Sequence, residues 1–168
     1  MVKVIAVTGT PATGKTTVAK KLAYMLDYKY IDGKQIIENF KLHSEKDPDG
    51  TLVVPVKNFE NQLKKIIKQE SRAKGLIIDS HLSHLLHKEL LNLCIVTRCN
   101  LKELSFRLKK RNYSEKKIAD NLEAETFEIC KIEAQENNLK VVEVDTGNSF
   151  EKVDYQKIVN QIQVHARK

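Results

Sequence analysis

The residues of this chain that could do chemistry begin with a glycine-rich segment near its start. Residues 9–16 read Gly-Thr-Pro-Ala-Thr-Gly-Lys-Thr and match the phosphate-binding pattern G-x-x-x-x-G-K-[ST] in full. The glycines let the backbone turn so that successive amides point inward at an anion. Lys15 can reach the outer phosphates of a triphosphate, and the Thr16 hydroxyl can bind Mg²⁺. We therefore predict that this segment, called the P-loop below, holds the phosphates of a nucleotide.

An acidic partner for such a metal follows a later apolar run. Residues 76–78 are Leu-Ile-Ile, the pattern of a buried strand, and Asp79 closes it. A carboxylate at the end of a neighbouring strand is where a P-loop protein holds Mg²⁺ through water, although an ordinary turn aspartate is the alternative. The sequence has no N-K-x-D after a strand and no D-x-x-G at Asp79, so it favours ATP, or a broad triphosphate preference, over a GTPase.

A dense basic segment lies between residues 102 and 117. Seven Lys or Arg stand there against two Glu, a net of +5 out of the +7 of the whole chain. Arg pairs with phosphate oxygens at two points and keeps its charge, so this segment could close over a bound triphosphate. A solvated run of charges is the simpler alternative. The basic residues are Lys102, Arg107, Lys109, Lys110, Arg111, Lys116 and Lys117.

Three histidines follow Asp79 at regular spacing. His81, His84 and His87 fall at i, i+3 and i+6, which is compatible with a metal site. No Cys or carboxylate stands at the companion spacing that such a site needs. We therefore favour a different arrangement, in which His81 faces the phosphates and the other two pack or face water.

Alternating strand and helix patterns must position these residues. Helical apolar spacing separates the strand patterns, which is typical of a parallel sheet with helical crossovers. We predict a three-layer α/β sandwich around a five-stranded parallel sheet. The strand patterns lie at residues 4–7, 28–31, 76–78, 93–96 and 141–144. One long helix is predicted to carry Ile118, Leu122, Ile129 and Ile132.

Composition limits the class of protein. The chain has 168 residues, 41% of them hydrophobic and 30% charged. We expect a single domain over residues 1–168 that buries about 70% of its unfolded surface. No apolar run approaches the roughly 18 residues of a membrane helix, and the first apolar run is too short for a signal peptide. Cys94, Cys99 and Cys130 lack a C-x-x-C spacing and indicate reduced thiols in a cytoplasmic protein.

Three motifs taken together resemble one family. They are the P-loop with Thr17, the tripeptide Asp79-Ser80-His81, and the pattern R-L-x-x-R-x-Y-x-x-x-K-I-x-x-N-x-x-x-E over residues 107–125. In these motifs, and over residues 3 to about 162, the chain resembles the adenylate kinase isoenzyme six family. Members of that family are small ATPases, similar to nucleoside monophosphate kinases, that act in maturation of the small ribosomal subunit.

The resemblance implies a fold and an activity. The fold would be the nucleoside monophosphate kinase variant of the P-loop sandwich, with a monophosphate-binding region at residues 33–54 and a short lid at residues 110–120. The activity would be Mg²⁺-dependent phosphoryl transfer from ATP to nucleoside monophosphates, adenylate among them, with broad specificity and additional ATPase activity. Implied partners are a small-subunit ribosomal protein of the platform and, as a further candidate, rRNA.

The resemblance also assigns roles to residues. Lys15, Asp79, His81 and Arg111 would be catalytic. Thr16, and Asp79 through water, would hold Mg²⁺. ATP would contact Ala12, Gly14, Lys15, Thr16, Thr17 and Arg111.

The chain departs from the family pattern at three positions. Ala12 stands where the family often has Gly. An alanine would be tolerated there if its φ were negative. Asn112 replaces a common lid Gly, and Asn also adopts positive φ. His84 stands where many members carry Asp, so any role of a second acid is in doubt.

Two alternatives to a kinase stay open. Adenylate kinases usually carry an Arg near His81–His84 to grip the acceptor phosphate, but here the next Arg downstream is Arg98. This favours an assembly ATPase without physiological kinase activity. The other alternative is a basic rRNA-binding protein that is not an enzyme, against which the basic segment shows no interleaved aromatic residues for stacking bases.

Overall fold

The computed structural model describes residues 2–46, 52–147 and 149–165. Residues 47–51, which belong to the predicted monophosphate-binding region, lie outside this description. The described strands are β1 (Lys3–Thr8), β2 (Lys29–Asp32), β3 (Glu45–Lys46), β4 (Leu52–Val53), β5 (Gly75–Asp79), β6 (Leu93–Arg98) and β7 (Val141–Asp145). The described α-helices are α1 (Lys15–Leu26), α2 (Gly33–Asn39), α3 (Val56–Gln69), α4 (Leu101–Lys110), α5 (Glu115–Thr126), α6 (Ile129–Glu136) and α7 (Tyr155–His165).

Five strands form one parallel sheet, in the order β2-β5-β1-β6-β7. This confirms the predicted five-stranded parallel sheet, and each predicted strand is present. β1 lies at the centre, where Val7 pairs with Asp79 on one side and Ile95 on the other. The carboxyl ends of β1, β5 and β6 therefore meet at one edge of the sheet, which is where open α/β sheets bind ligands. The separate pair β3 and β4 is antiparallel.

Helices cover both faces of the sheet, which confirms the three-layer sandwich. Residues of β1 alternate between the faces because successive side chains of a strand point to opposite sides. Ile5 and Val7 pack in a core with α1 and α7. Val4 packs on the opposite face with α2 and α3, and Ala6 packs there with α6.

The long helix predicted through Ile118 and Ile132 is wrong, because two helices occupy this stretch. α5 ends at Thr126 and α6 starts at Ile129, with Glu128 between them in the left-handed region at φ 54°. The Arg98 guanidinium donates a hydrogen bond of 3.2 Å to the carbonyl of Glu125, which competes with continuation of the helix. Ile132, placed on the buried stripe by the prediction, is 43% exposed.

The helices α4 and α5 form a hairpin beside the P-loop. Asn112 turns the chain between them at φ 54°, the conformation for which Asn is a workable substitute for Gly. Leu104 and Leu108 of α4 pack against Ala12 of the P-loop. The predicted lid, residues 110–120, thus comprises this turn and the first part of α5.

Candidate functional site

The P-loop joins the end of β1 to the start of α1 and takes a shape that requires both glycines. Gly9 has φ 138°, and a Cβ there would stand 2.5 Å from the carbonyl oxygen of Thr97. Gly14 has φ 90° and would place a Cβ against the ring of Phe150. Any larger residue would move these neighbours and strain the backbone. The first amides of α1 follow at once, and they have no acceptor within the helix.

Ala12 adopts a conformation that the sequence did not anticipate. Its φ is +69°, so the condition under which an alanine would be tolerated without strain, a negative φ, is not met. A left-handed L-residue costs about 1–2 kcal/mol. The buried methyl group packs against Leu104 and Leu108, which offsets part of that cost and explains how an alanine is accommodated.

Lys15 lies at the centre of the loop. Its ammonium donates hydrogen bonds to the carbonyls of Gly9 at 2.9 Å and Thr10 at 3.0 Å. Burial lowers the pKa of Lys15 to about 8, an effect that Asp79 opposes and Arg111 reinforces. The cation is therefore poorly neutralised in the free protein, and an anion in the loop would be its natural partner.

Thr16 and Asp79 meet as a possible Mg²⁺ site requires. The Thr16 hydroxyl donates to Asp79 Oδ2 at 2.6 Å, and the Tyr30 hydroxyl donates to the same oxygen at 2.8 Å. Hydroxyl and carboxylate oxygens are the hard ligands that Mg²⁺ prefers, so the donor set fits the ion. Burial, followed by the bond to Asp79, raises the pKa of Tyr30 and keeps it a donor. The sequence analysis missed Tyr30, although it lies on β2, which directly follows the first helical crossover and pairs with β5.

His81 and Arg111 lie within electrostatic reach of Lys15. His81 is exposed, two residues beyond the end of β5, and its pKa is lowered by desolvation and then by the charges of Lys15 and His84. Arg111 caps the end of α4, is exposed, and contributes to the lowered pKa of Lys15. Thr17 follows Thr16 on the first turn of α1 and is also exposed.

The other two histidines have separate surroundings. His84 is buried, with Nδ1 2.7 Å from the Thr8 hydroxyl and Nε2 2.8 Å from a Glu133 carboxylate oxygen. It thereby ties β1 to α6. His87 is exposed, 3.8 Å from Glu89. Over the described ranges, no group of three His, Cys, Asp or Glu side chains could hold a metal ion.

A group of residues from the end of the chain closes the side of the P-loop opposite Asp79. Thr146 donates from its hydroxyl to the carbonyl of Thr13 at 2.6 Å. Arg107 donates to the carbonyl of Thr146 at 2.8 Å, and its guanidinium lies 4.9 Å from the ring centre of Phe150. The sequence analysis missed Thr146 and Phe150. Their position just after β7, whose carboxyl end meets the same sheet edge, is the signal that could have identified them.

Comparison with known proteins shows the family of this chain. A family model described as an AAA domain matches residues 5–128. The chain belongs to this family. A relative from Methanocaldococcus jannaschii, named "Putative adenylate kinase", is 40% identical over 94% of this chain and 82% of its own length. A relative of the same name from Pyrococcus furiosus is 37% identical over 95% of this chain and 83% of its own length.

Solved structures place this AAA-domain chain among P-loop proteins by fold. The YorR protein of Bacillus subtilis, in complex with phosphorylated GDP, matches with a TM-score of 0.64 at 18% identity over 99% of both chains. Shikimate kinase from Acinetobacter baumannii, in complex with shikimate, matches with a TM-score of 0.57 at 16% identity over 100% of this chain and 97% of the enzyme. Within the described residues, no helix combines the length and apolar character needed to cross a membrane.

Proposed function

We propose that this protein is a Mg²⁺- and ATP-dependent nucleoside monophosphate kinase that acts on adenylate and, with broad specificity, on related monophosphates. The observation that carries the proposal is the geometry of the P-loop. The Lys15 ammonium lies against the loop carbonyls, and the Thr16 hydroxyl lies 2.6 Å from a carboxylate oxygen of Asp79, next to the first amides of α1. Two relatives named as adenylate kinases, each matching more than 90% of this chain, support the acceptor class.

Positioning and charge account for most of the proposed chemistry. Phosphoryl transfer proceeds through a loose transition state whose charge lies on the transferred phosphoryl oxygens. Lys15 from the loop and Arg111 from the predicted lid would neutralise that charge. Mg²⁺ held by Thr16, and through water by Asp79, would add positive charge at the phosphates. The anionic oxygen of a monophosphate is itself the nucleophile, so this reaction needs no general base.

A second activity, ATP hydrolysis, is favoured by two observations. His81, whose pKa is lowered by desolvation and then by the charge of Lys15, would orient an attacking water molecule. Arg98, the first arginine after His81, is held by carboxylates of Glu125 at 2.8 Å and Glu128 at 2.6 Å and cannot grip an acceptor phosphate. These features support an ATPase. The family resemblance implies that it would act as an assembly ATPase in maturation of the small ribosomal subunit, and the free cysteines favour a cytoplasmic location.

The kinase and ATPase proposals are separated by measuring ADP formed from ATP with and without AMP. A kinase should form ADP much faster when AMP is present, and two ADP should appear for each AMP consumed. Equal rates would rule out the kinase and leave the ATPase. Lys15→Ala is the control for both, and wild-type turnover in that variant would refute the P-loop assignment.

The proposed partner is a small-subunit ribosomal protein of the platform. A pull-down from a ribosomal protein fraction, with and without ATP, tests it. We expect retention of the partner to change with ATP for the wild type and not for Lys15→Ala. An rRNA partner of the basic segment is tested in parallel, since contacts to phosphates should weaken steeply as salt rises.

A further inference from the structure

Glu125 is a buried carboxylate with no role in the chemistry described above. It lies in the last turn of α5, the helix whose first part belongs to the predicted lid, and it is 3% exposed. A carboxylate is rarely buried this deeply unless donors satisfy it. The donors that surround Glu125 therefore indicate why it is there.

Both oxygens of Glu125 have partners. Oε1 accepts from Arg98 Nε at 2.8 Å and from the backbone amide of Cys99 at 3.0 Å. Oε2 accepts from the hydroxyl of Thr10 at 2.6 Å. Arg98 and Cys99 belong to the end of β6 and its following turn, whereas Thr10 is the second residue of the P-loop. One carboxylate thus joins the lid helix, the sheet and the phosphate-binding loop.

Thr10 accepts hydrogen bonds from two other residues of the P-loop. Its carbonyl accepts from Lys15 Nζ at 3.0 Å and from the amide and hydroxyl of Thr13 at 3.2 and 2.7 Å. Its hydroxyl is fully committed to Glu125, and the side chain is 2% exposed. The negative charge of Glu125 also reaches Lys15 and works to raise the pKa of that ammonium. Any shift of Glu125 would therefore move the loop and change the field at its cation.

We propose that Glu125 is a positioning residue: it holds Thr10, and with it the P-loop, in the shape that binds a triphosphate, and it anchors the root of the lid helix α5 to that loop. The inference rests on the proposed nucleotide binding of the P-loop. Glu125 need not touch the nucleotide. It acts through the Thr10 hydroxyl.

The experiment removes the loop contact without touching the Arg98–Glu125 pair. Thr10→Val keeps the size of the side chain and deletes only the hydroxyl, whereas Thr10→Ser restores the hydroxyl. The Kd for ATP with Mg²⁺ is measured by calorimetry, together with kcat, KM and urea unfolding. Glu128→Gln is the matched control, because Glu128 also binds Arg98 but has no described contact with the P-loop.

We expect Thr10→Val to bind ATP about tenfold or more weakly, since it loses a hydrogen bond to a charged group. Thr10→Ser and Glu128→Gln should bind like the wild type, although Glu128→Gln should unfold at lower urea. A purely structural role is indicated, and the proposal overturned, if Thr10→Val unfolds more easily but keeps the wild-type Kd and KM. If the wild type itself binds no triphosphate, the proposed function fails and this inference fails with it.

Glu125→Gln provides a second, independent measurement. If the contact to Thr10 carries the effect of Glu125 on ATP binding, then combining Glu125→Gln with Thr10→Val should weaken binding no more than the stronger single change. If the double variant instead weakens ATP binding by the product of the two single effects, Glu125 acts by another route and the proposal is contradicted. If Glu125→Gln does not fold, the comparison of Thr10→Val with Thr10→Ser decides the proposal.

Discussion

At the scale of single residues, the pKa of Lys15 is unusually low for a lysine. Its pKa of about 8 means that the free protein loses this proton above pH 8, while a bound triphosphate would restore it. ATP affinity should therefore be constant below pH 7.5 and fall above pH 8, approaching about tenfold per pH unit. Calorimetry of ATP binding between pH 7 and 9.5 measures this, with uptake of nearly one proton expected at pH 9.

The matched control for this pH dependence is Lys20→Met. Lys20 is exposed on the same helix α1, so the variant should keep the full loss of affinity above pH 8. An ATP affinity that stays the same from pH 7 to pH 9 in the wild type would contradict the assignment of Lys15 as the phosphate-binding cation.

Tyr30 donates a hydrogen bond to Asp79, the carboxylate that is proposed to hold Mg²⁺. The bond from the Tyr30 hydroxyl is 2.8 Å long, and a hydrogen bond of this type orients a metal ligand. Loss of such a hydrogen bond typically lowers metal affinity about 10–100-fold. Tyr30→Phe should therefore raise the Mg²⁺ concentration for half-maximal activity by about tenfold. Tyr28→Phe, a partly buried neighbour with no described bond to Asp79, should not. An unchanged Mg²⁺ requirement in Tyr30→Phe would show that the Tyr30 hydroxyl does not support Mg²⁺ binding at Asp79.

At the scale of elements, two opposing effects of Ala12 in the P-loop act on the free energy of unfolding. Ala12→Gly relieves about 1–2 kcal/mol of left-handed strain but loses about 0.8 kcal/mol of buried methyl, so the free energy of unfolding should change by only about 1 kcal/mol. Ala12→Val places a β-branched residue at φ 69° in a packed site and should destabilise by about 2 kcal/mol or more. Urea unfolding of both variants measures this. Wild-type stability in Ala12→Val would contradict the observed φ.

The junction of α5 and α6 depends on Arg98, which comes from β6. Arg98→Met would leave Glu125 buried without its cation, a change that typically costs about 3–5 kcal/mol. Urea unfolding should show a loss of this size. Lys131→Met is the control, because it removes another cation of the same network that reaches Glu128 and Glu143 but not Glu125, and it should destabilise far less, since ion pairs at the surface contribute little to stability. Equal losses in the two variants would mean that Glu125 does not require Arg98.

At the scale of the whole molecule, nucleotide binding should stabilise the fold. A ligand at 100 times its Kd adds about 2.7 kcal/mol to the free energy of unfolding. In a chain of this length each kcal/mol moves Tm by roughly 2–4 °C, so ATP with Mg²⁺ should raise Tm by roughly 5–11 °C. Thermal unfolding monitored by circular dichroism tests this. Lys15→Ala should show no shift, and an equal shift in that variant would indicate binding elsewhere on the molecule.

Much of the fold follows from short-range patterns. The continuous apolar runs at residues 4–7 and 76–78 predicted buried parallel strands correctly, because a strand covered on both faces needs an apolar residue at every position. The same logic placed Asp79 at the end of a neighbouring strand, and the structure pairs it with Val7, at the sheet edge where the P-loop begins. Periodicity failed at the α5–α6 junction, because the cause of the break is an arginine 30 residues away in another element.

The sequence by itself determined the phosphate-binding loop, the parallel sheet and the acidic residue beside the loop, because each depends on residue types at fixed local spacing. Only the tertiary structure decided the positive φ of Ala12, the Tyr30–Asp79 bond and the contact of Glu125 with Thr10. The last of these joins residues 115 positions apart. Such contacts arise when the sheet brings distant elements to one edge, and no local pattern encodes the distance between them.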